Sequence, residues 1–195
     1  MSNIGKFDWN RGFVLDFSLI DGLSNGAEST KRYLSQMKGM YYDTEAQDKI
    51  LQQEDPLIYE FYELGCPERE EDLAFGTTIL YPGKIGNQYY MTKGHFHNIL
   101  ETGEIYYTLR GEGYLVTESP EGDTVEYRME KEKAVYVPRR YAHRTVNTGN
   151  EPMVCFYAMY ATAGHEYGTI ERKGFRKLIV EKNGVPVVID NPRWI

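Results

Sequence analysis

A run of histidine and glutamate residues in the middle of the chain constrains the fold more than any other feature. His95 and His97 form a His-x-His pair, and Glu104 follows with six residues between it and His97. Alternate residues of a β-strand point to the same face, so both imidazoles could face one point inside a sheet. Glu104 opens the run Glu-Ile-Tyr-Tyr-Thr-Leu, which is typical of a strand and leads to a glycine-containing turn at residues 110–113. The pattern predicts a sheet with ionisable side chains on its inner face.

A third histidine, His143, follows in a segment that begins at Pro138. Two histidines, one carboxylate and a further histidine form a set of nitrogen and oxygen ligands suited to a divalent transition metal. Glu101 is a rival ligand at a shorter spacing from the histidine pair. Glu104 is favoured because the strand after it must run straight to the turn at Gly111. The sequence predicts a metal centre made of His95, His97, Glu104 and His143.

These residues resemble the double motif of the cupin family. Glu104 and Gly111 match its first half, and Pro138, His143 and Asn147 match its second half. The resemblance implies an all-β fold, a cupin double-stranded β-helix or jelly-roll barrel. Arg140 and Glu132 stand where the second half usually has glycine. Those glycines serve turns rather than metal, so the departure concerns the local turn geometry and not the ligands.

Length and composition favour one domain over residues 1–195. The chain has 195 residues and 41% hydrophobic content, enough for a sizeable core, and its 17 tyrosines and eight phenylalanines favour sheet over helix. A net charge of −7 argues against a nucleic-acid partner. No apolar run approaches the ~18 residues of a membrane span, and there is no signal-peptide pattern, so we expect a cytoplasmic protein without membrane partners. Two cysteines, Cys66 and Cys155, are too few for a disulfide framework.

Residues 1–56 are expected to form a small α/β extension packed on the barrel. Residues 13–17 are typical of a short strand, residues 29–37 carry apolar side chains at helical spacing, and a capping box at Thr44 predicts a helix that ends before Pro56. From Leu57 onward the pattern predicts short strands separated by turns, as in a sandwich or barrel. The main predicted strands span residues 57–64, 74–81, 89–92, 104–109, 114–118, 124–129, 134–138 and 153–160, and a hairpin turn lies at residues 182–184.

A closer resemblance extends over residues 13–194. The segments 78–84, 92–97, 136–147, 164–169 and 190–194 are similar to the archaeal cupin-type glucose-6-phosphate isomerases. The resemblance implies a metal-dependent aldose–ketose isomerase that interconverts glucose 6-phosphate and fructose 6-phosphate in glycolysis and gluconeogenesis. It implies His95, His97, Glu104 and His143 as ligands, with iron(II) a frequent metal and manganese, nickel or zinc as substitutes. Members of the family commonly form homodimers.

Candidate catalytic residues follow from the chemistry and the resemblance together. The reaction moves a proton or a hydride between C1 and C2 of the opened sugar, and Glu104 is the best candidate for the base. By resemblance, His165 and Tyr160 assist ring opening or proton transfer. Matching Tyr160 to the family's tyrosine requires a shift of one residue. The choice between an enediol and a hydride shift stays open, as does activity on mannose 6-phosphate.

The phosphate of the substrate is expected to meet Thr78, Thr92, Lys93 and the backbone amide of Gly94. Hydroxyl, ammonium and amide groups all donate hydrogen bonds to phosphate oxygens. In a regular strand Thr92 and Gly94 would point away from His95, so this assignment requires a bend or bulge near Gly94. Three tyrosines are candidates for sugar contact: Tyr59, Tyr106, which shares strand parity with Glu104, and Tyr167.

Two other functions use the same ligand set. An iron cupin dioxygenase would act on a carbon substrate without phosphate, which the residues 92–94 disfavour. A non-catalytic sugar-binding cupin would bind ligand without turnover.

Overall fold

Antiparallel β-strands make up most of this computed structural model, which describes residues 7–15, 18, 20, 22, 29–64 and 66–194. The strands are β1 (Thr30–Tyr33), β2 (Leu57–Glu63), β3 (Leu73–Leu80), β4 (Lys84–Ile85), β5 (Gln88–Tyr89), β6 (Glu104–Arg110), β7 (Glu112–Glu118), β8 (Thr124–Glu130), β9 (Ala134–Val137), β10 (Ala142–Asn147), β11 (Met153–Tyr160), β12 (Lys177–Lys182) and β13 (Val185–Asp190). The helices are α1 (Thr44–Leu51), α2 (Gly168–Lys173) and a 3₁₀ turn at Leu34–Met37. The predicted all-β cupin fold is confirmed.

Within the described residues the strands form three sheets around one core. The largest has the order β1-β2-β3-β11-β6-β9, the second β10-β7-β8, and the third β13-β12-β5-β4. One hydrophobic cluster contains buried side chains from all three, for example Leu80, Leu115 and Ile179. Isolated bridges join Met91 to Val146 and His95 to His143, and so tie the segment between β5 and β6 to the second sheet. This segment carries the His-x-His pair.

Strict alternation along β6 and β11 separates an inner face from an outer face. In β6, Glu104, Tyr106 and Thr108 are buried, whereas Ile105 and Tyr107 are exposed. In β11 the residues from Cys155 to Met159 alternate in the same way, with the odd-numbered side chains inside. The pleat of a strand therefore brings Glu104 into the interior with every second neighbour.

The N-terminal extension differs in detail from the sequence prediction. Residues 29–37 were expected to be helical from their spacing, but they form the edge strand β1 and then the 3₁₀ turn. Leu34 and Met37 are fully buried, so the spacing reflects core packing rather than an α-helix. Helix α1 begins at Thr44 as predicted, but its cap is Asp43, whose side chain accepts a hydrogen bond from the Ala46 amide. The predicted strand at residues 13–17 lies partly outside the described residues.

Glu132 and Arg140, which stand where the cupin motif usually has glycine, both adopt a backbone conformation that favours glycine. Glu132 has φ +69° and Arg140 has φ +72°. Both are in the left-handed region, which non-glycine residues adopt at some energetic cost. The turns of the motif are therefore kept without its glycines. The predicted hairpin turn between β12 and β13 is present, with Asn183 and Gly184 both at positive φ.

Most predicted strands lie within a few residues of the observed ones. The strand predicted at residues 89–92 is shorter, since β5 ends at Tyr89. Strand β10 and helix α2 are not among the predicted elements. Both lie in segments whose sequence matches family motifs but gives no clear strand or helix pattern. In the described part of the chain, no helix is both long enough and apolar enough to span a membrane.

Candidate metal centre and substrate cavity

Four side chains from three places in the chain converge at the centre of the barrel. Glu104 is the first residue of β6, and His143 is the second residue of β10. His95 and His97 lie before β6, and His95 exchanges two backbone hydrogen bonds with His143, at 3.2 and 3.1 Å. One potential ligand atom from each of the four residues lies within 4.8 Å of the others. The predicted ligand set is therefore assembled in one place.

Glu104 is the centre of this cluster. Its Oε2 lies 3.0 Å from His97 Nε2 and 2.9 Å from His143 Nε2. Burial alone would raise the pKa of the Glu104 carboxyl, but His143 and His97 outweigh it and hold the pKa far below its usual value. The side chain is 3% exposed. Glu104 is thus a carboxylate in a nearly dry setting.

Backbone carbonyls orient the rings of two histidines toward the cluster. His97 Nδ1 lies 3.2 Å from the Thr102 carbonyl oxygen, and His143 Nδ1 lies 3.4 Å from the Tyr141 carbonyl oxygen. A carbonyl only accepts, so each Nδ1 is the donor in this contact, and each Nε2 is the ring atom directed at the ligand cluster. Both Nε2 atoms lie beside the Glu104 carboxylate, where they could bind one divalent cation together with it.

His95 completes a set that fits a divalent metal. Its Nε2 is buried and has no hydrogen-bond partner among the described residues. Burial, followed by the neighbouring His143 and His165 rings, lowers the pKa of His95 well below its usual value, so the ring is neutral. Nitrogen and oxygen ligands at ~2.0–2.2 Å from one ion lie roughly 3–4 Å from each other, which agrees with the spacing here.

The rival carboxylate Glu101 lies elsewhere. It is exposed and forms ion pairs with Arg139 at 2.8 Å and Arg140 at 3.5 Å. Its side chain therefore belongs to a surface cluster with those two arginines, while Glu104 occupies the position inside the barrel.

The required bend at Gly94 is present. Met91 pairs with Val146 and His95 with His143. The chain therefore advances four residues from 91 to 95 while its partner strand advances only three, from 146 to 143. This is the count of a β-bulge, which changes the face that a side chain occupies. Gly94 has φ +75°, and a Cβ there would lie 2.9 Å from the His143 carbonyl oxygen. The bulge lets Thr92, Gly94 and His95 face the same space.

An open cavity lies directly over the cluster. It contains nearly all of the predicted site residues, which shows that distant segments of the chain meet here. The lining residues are Tyr59, Phe61, Glu63, Thr78, Thr92, Gly94, His95, Glu104, Tyr106, His143, Thr145, Tyr157, His165 and Tyr167.

His165 and Tyr167 form one wall beside the ligands. The His165 ring centroid lies 4.4 Å from that of His95, and it stacks on Tyr167 at 5.8 Å. Burial lowers the pKa of His165, so this ring is neutral near pH 7 and can accept a proton. The Tyr106 ring centroid lies 5.6 Å from that of His143, and burial and then the Glu104 carboxylate raise the pKa of Tyr106.

Three predicted site residues do not line the cavity: His97, which belongs to the ligand cluster, Lys93 and Tyr160. The Lys93 ammonium lies 2.8 Å from Glu171 on α2, and Lys93 is not among the lining residues. Tyr160 is 46% exposed at the end of β11, on the face opposite to the buried Tyr157 and Met159. The placement of Tyr160 corrects its catalytic assignment, because strand parity turns its side chain outward.

Four lining residues were missed by the sequence analysis: Phe61, Glu63, Thr145 and Tyr157. Tyr157 had a usable signal, since alternation along 153–160 places it on the same face as Cys155. Phe61 and Glu63 share parity with Tyr59 on β2 and could have been found in the same way. Thr145 shares parity with His143 on β10. Each of these four residues shares a strand face with a neighbour two or four positions away, so alternation along the strand would have indicated it.

The chain is similar to known proteins over almost its full length. The family model described as "Glucose-6-phosphate isomerase (GPI)" matches residues 31–194. The glucose-6-phosphate isomerase of Thermococcus litoralis is 48% identical over 184 residues, covering 94% of this chain and 95% of that protein. That of Pyrococcus furiosus is 47% identical, covering 94% and 96%. A Rhizobium meliloti protein named putative glucose-6-phosphate isomerase 1 is 34% identical, covering 88% and 82%.

Proposed function

Because the chain belongs to the glucose-6-phosphate isomerase family, we propose that its cavity interconverts glucose 6-phosphate and fructose 6-phosphate with a bound divalent metal. The observation that carries the proposal is the convergence of His95, His97 and His143 on the Glu104 carboxylate inside a cavity lined by hydroxyl groups. Such a step belongs to glycolysis and gluconeogenesis.

The four clustered side chains would hold the metal. When bound, it would act as a Lewis acid that polarises the sugar oxygens at C1 and C2 and lowers the free energy of negative charge there. The convergence of the four potential ligand atoms, the neutral ring of His95 and the carboxylate form of Glu104 support this assignment. We propose iron(II) as the resident ion, with manganese, nickel or zinc as substitutes.

Glu104 would carry the proton between C1 and C2 through a carboxylate oxygen. Its Oε2 is held by His97 and His143, and the Tyr106 hydroxyl donates a further hydrogen bond to the carboxylate. These contacts fix the orientation of the base before the substrate arrives. A general base in this position contributes roughly 10²–10⁴-fold to the rate.

His165 is suited to opening the sugar ring. Its neutral imidazole faces the cavity next to His95 and can accept the proton of the anomeric hydroxyl and return it to the ring oxygen as the C1–O5 bond breaks. Tyr167 stacks on it at 5.8 Å and restrains its orientation. Tyr59 and Tyr167 offer hydroxyl groups to the hydroxyls of the sugar chain.

The other end of the cavity would hold the phosphate. Thr92 Oγ1 accepts hydrogen bonds from the Thr145 amide at 3.1 Å and from the Thr145 hydroxyl at 3.4 Å. Its own hydroxyl hydrogen is then available to a phosphate oxygen. Thr78 and the Gly94 backbone border the same space, and such groups are suitable donors to phosphate.

We also propose that the chain acts as a homodimer in the cytoplasm, with residues 1–195 as one cupin domain. An apolar row crosses the outer face of the largest sheet, where Tyr136 pairs with Ile105, Ile105 with Ala158, and Ala158 with Phe75. Tyr136 is 64% and Ile105 is 42% exposed. A second copy of the chain would cover this row.

A coupled assay of fructose 6-phosphate conversion tests the proposed reaction. Purified protein should turn over the substrate, lose activity after chelation, and recover it when iron(II) or manganese(II) is added back. Metal content measured on the same samples links activity to occupancy. Turnover that persists in protein shown to be metal-free would contradict the proposal, as would a metal-loaded protein without turnover.

A further inference from the structure

The negative charge of the substrate phosphate has no balancing cation among the described residues that line the cavity. A sugar phosphate carries nearly two negative charges at pH 7, and protein sites for it normally provide a cation. No lysine or arginine is among the described residues that line the cavity, and Glu63 and Glu104 add negative charge there. Lys93 lies next to the phosphate-binding residues, but its ammonium already pairs with Glu171 at 2.8 Å.

A buried arginine lies directly behind this wall. Arg144 sits on β10 between two lining residues, His143 and Thr145, and is 2% exposed. Its Nη2 donates a hydrogen bond to the Lys93 carbonyl oxygen. The Arg144 Cβ lies 2.9 Å from the position that a Cβ would occupy at Gly94. The side chain therefore runs along the back of residues 92–94, whose front faces the cavity.

Arg144 lacks the partners that a buried guanidinium normally has. Its Nη1 donates to Met91 Sδ at 2.9 Å, which is a weak acceptor, and its Nε has no hydrogen-bond partner among the described residues. Its guanidinium carbon lies 4.3 Å from the Phe175 ring centroid. In the described part of the chain no carboxylate lies within ion-pair distance of it. Glu118, the acidic group that its charge interacts with, is already bound by the side chain and amide of Arg176.

We propose that Arg144 supplies the positive charge for the substrate phosphate from behind the wall formed by residues 92–94. A buried charge without a carboxylate is unfavourable on its own, and it is stabilised when an anion binds nearby. Because the arginine is shielded from solvent, its field is weakly screened at the phosphate position. Arg144 is thus a positioning residue: it orients the Lys93 carbonyl and biases the cavity toward phosphorylated sugars, while the hydroxyls and amide make the direct contacts.

Binding of a charged and a neutral open-chain sugar alcohol tests this proposal, which rests on the proposed substrate class. Calorimetry on metal-loaded protein compares glucitol 6-phosphate with glucitol. Arg144→Gln keeps a donor for the Lys93 carbonyl but removes the charge. We expect Kd for glucitol 6-phosphate to rise by about tenfold or more, ~1.4 kcal/mol, while Kd for glucitol changes by less than about twofold. Arg144→Lys keeps the charge and should remain within about threefold of wild type for both ligands.

An equal rise in Kd for both ligands in Arg144→Gln would mean a purely structural role and would overturn the proposal. An unchanged Kd for both ligands would overturn it as well. If Arg144→Gln does not fold, Lys93→Met decides between the two cations. The proposal expects that variant to change Kd for glucitol 6-phosphate by less than about threefold. A tenfold or larger rise would assign the counter-charge to Lys93 instead. Because binding is measured without turnover, a wild-type protein that binds glucitol 6-phosphate but does not convert fructose 6-phosphate would fail the proposed reaction alone.

Discussion

At the scale of single residues, Thr102 controls how His97 faces the metal site. The Thr102 hydroxyl donates to the Ile99 carbonyl at 2.6 Å, so its oxygen accepts the His97 Nδ1 hydrogen at 2.8 Å. Partners of this kind fix both the tautomer and the orientation of a ligand ring. Thr102 lies in the loop that also carries Glu101, but unlike Glu101 it touches a ligand.

Replacing Thr102 with valine should therefore weaken metal binding. The shape is kept while the hydroxyl is lost, and we expect the metal Kd to rise by about 10–100-fold. Competition with a chromogenic chelator measures it. Thr102→Ser keeps the hydroxyl and should stay near wild type. Equal metal affinity in the valine variant and wild type would show that Thr102 does not orient His97.

Gly94 and Gly39 form a matched pair for testing the bulge. Both have positive φ, but a Cβ at Gly94 would meet Phe175 at 2.7 Å and the His143 carbonyl oxygen at 2.9 Å, whereas a Cβ at Gly39 meets nothing within 4 Å. Gly39→Ala should lower the free energy of unfolding by ~1–2 kcal/mol through backbone strain alone. Gly94→Ala should lower it by a further ~1–3 kcal/mol through overpacking. Urea denaturation compares the two variants, and equal losses would contradict the steric account of the bulge.

At the scale of elements, the pleat of β11 determines which tyrosine meets the substrate. Tyr157 is buried and lines the cavity, whereas Tyr160 is on the outer face. Tyr157→Phe should lower kcat/KM for fructose 6-phosphate by about three- to tenfold, as expected for one lost hydrogen bond. Tyr160→Phe should leave it within about twofold. The reverse result would mean that β11 is paired in a register shifted by one residue.

The strands that hold the ligands could be predicted from the sequence because their signals are local. The period-two pattern after Glu104 and the turn at Gly111 define β6, and the structure has the strand from Glu104 to Arg110. Residues 29–37 were mispredicted because Leu34 and Met37 are spaced by the core they fill, and that core is made by distant strands. Helix α2 gave no signal, since its six residues carry one buried side chain, Ile170.

At the scale of the whole molecule, the outer face of the largest sheet should join two copies of the chain. Phe75 at one end of the apolar row already packs against Trp9 and Phe13, with ring centroids 5.7 and 6.3 Å away. The other end, at Ile105 and Tyr136, is exposed. A contiguous apolar surface of this kind is a typical subunit interface.

Ile105→Lys should therefore dissociate the dimer. A lysine at the exposed end of the row would be buried in the dimer without a partner, and sedimentation at micromolar concentration should show a shift from dimer to monomer. Val188→Lys is the control, because Val188 is similarly exposed, at 39% against 42%, but lies on β13 of another sheet. A wild-type protein that sediments as a monomer would contradict the dimer proposal.

The ligand set was predictable at this scale because its residues sit in motifs that keep their spacing. The environment of Arg144 was not. In the sequence Arg144 is one polar residue beside a ligand, and nothing local indicates that Met91, Phe175 and the Lys93 carbonyl will surround it. The same holds for Lys93, whose pairing with Glu171 depends on where α2 packs. Contacts between segments far apart in the chain appear only after folding.

Turnover per bound metal in Glu104→Gln tests the central claim most directly. Glutamine keeps the shape and a ligand oxygen but cannot accept the substrate proton as a carboxylate does. We expect turnover of fructose 6-phosphate per bound metal to fall by about 10²–10⁴-fold, with weaker metal affinity in addition. Glu101→Gln, on the surface with Arg139 and Arg140, should retain nearly full turnover per metal. Wild-type turnover per metal in Glu104→Gln, or its loss in Glu101→Gln, would contradict the assignment of Glu104 as the base.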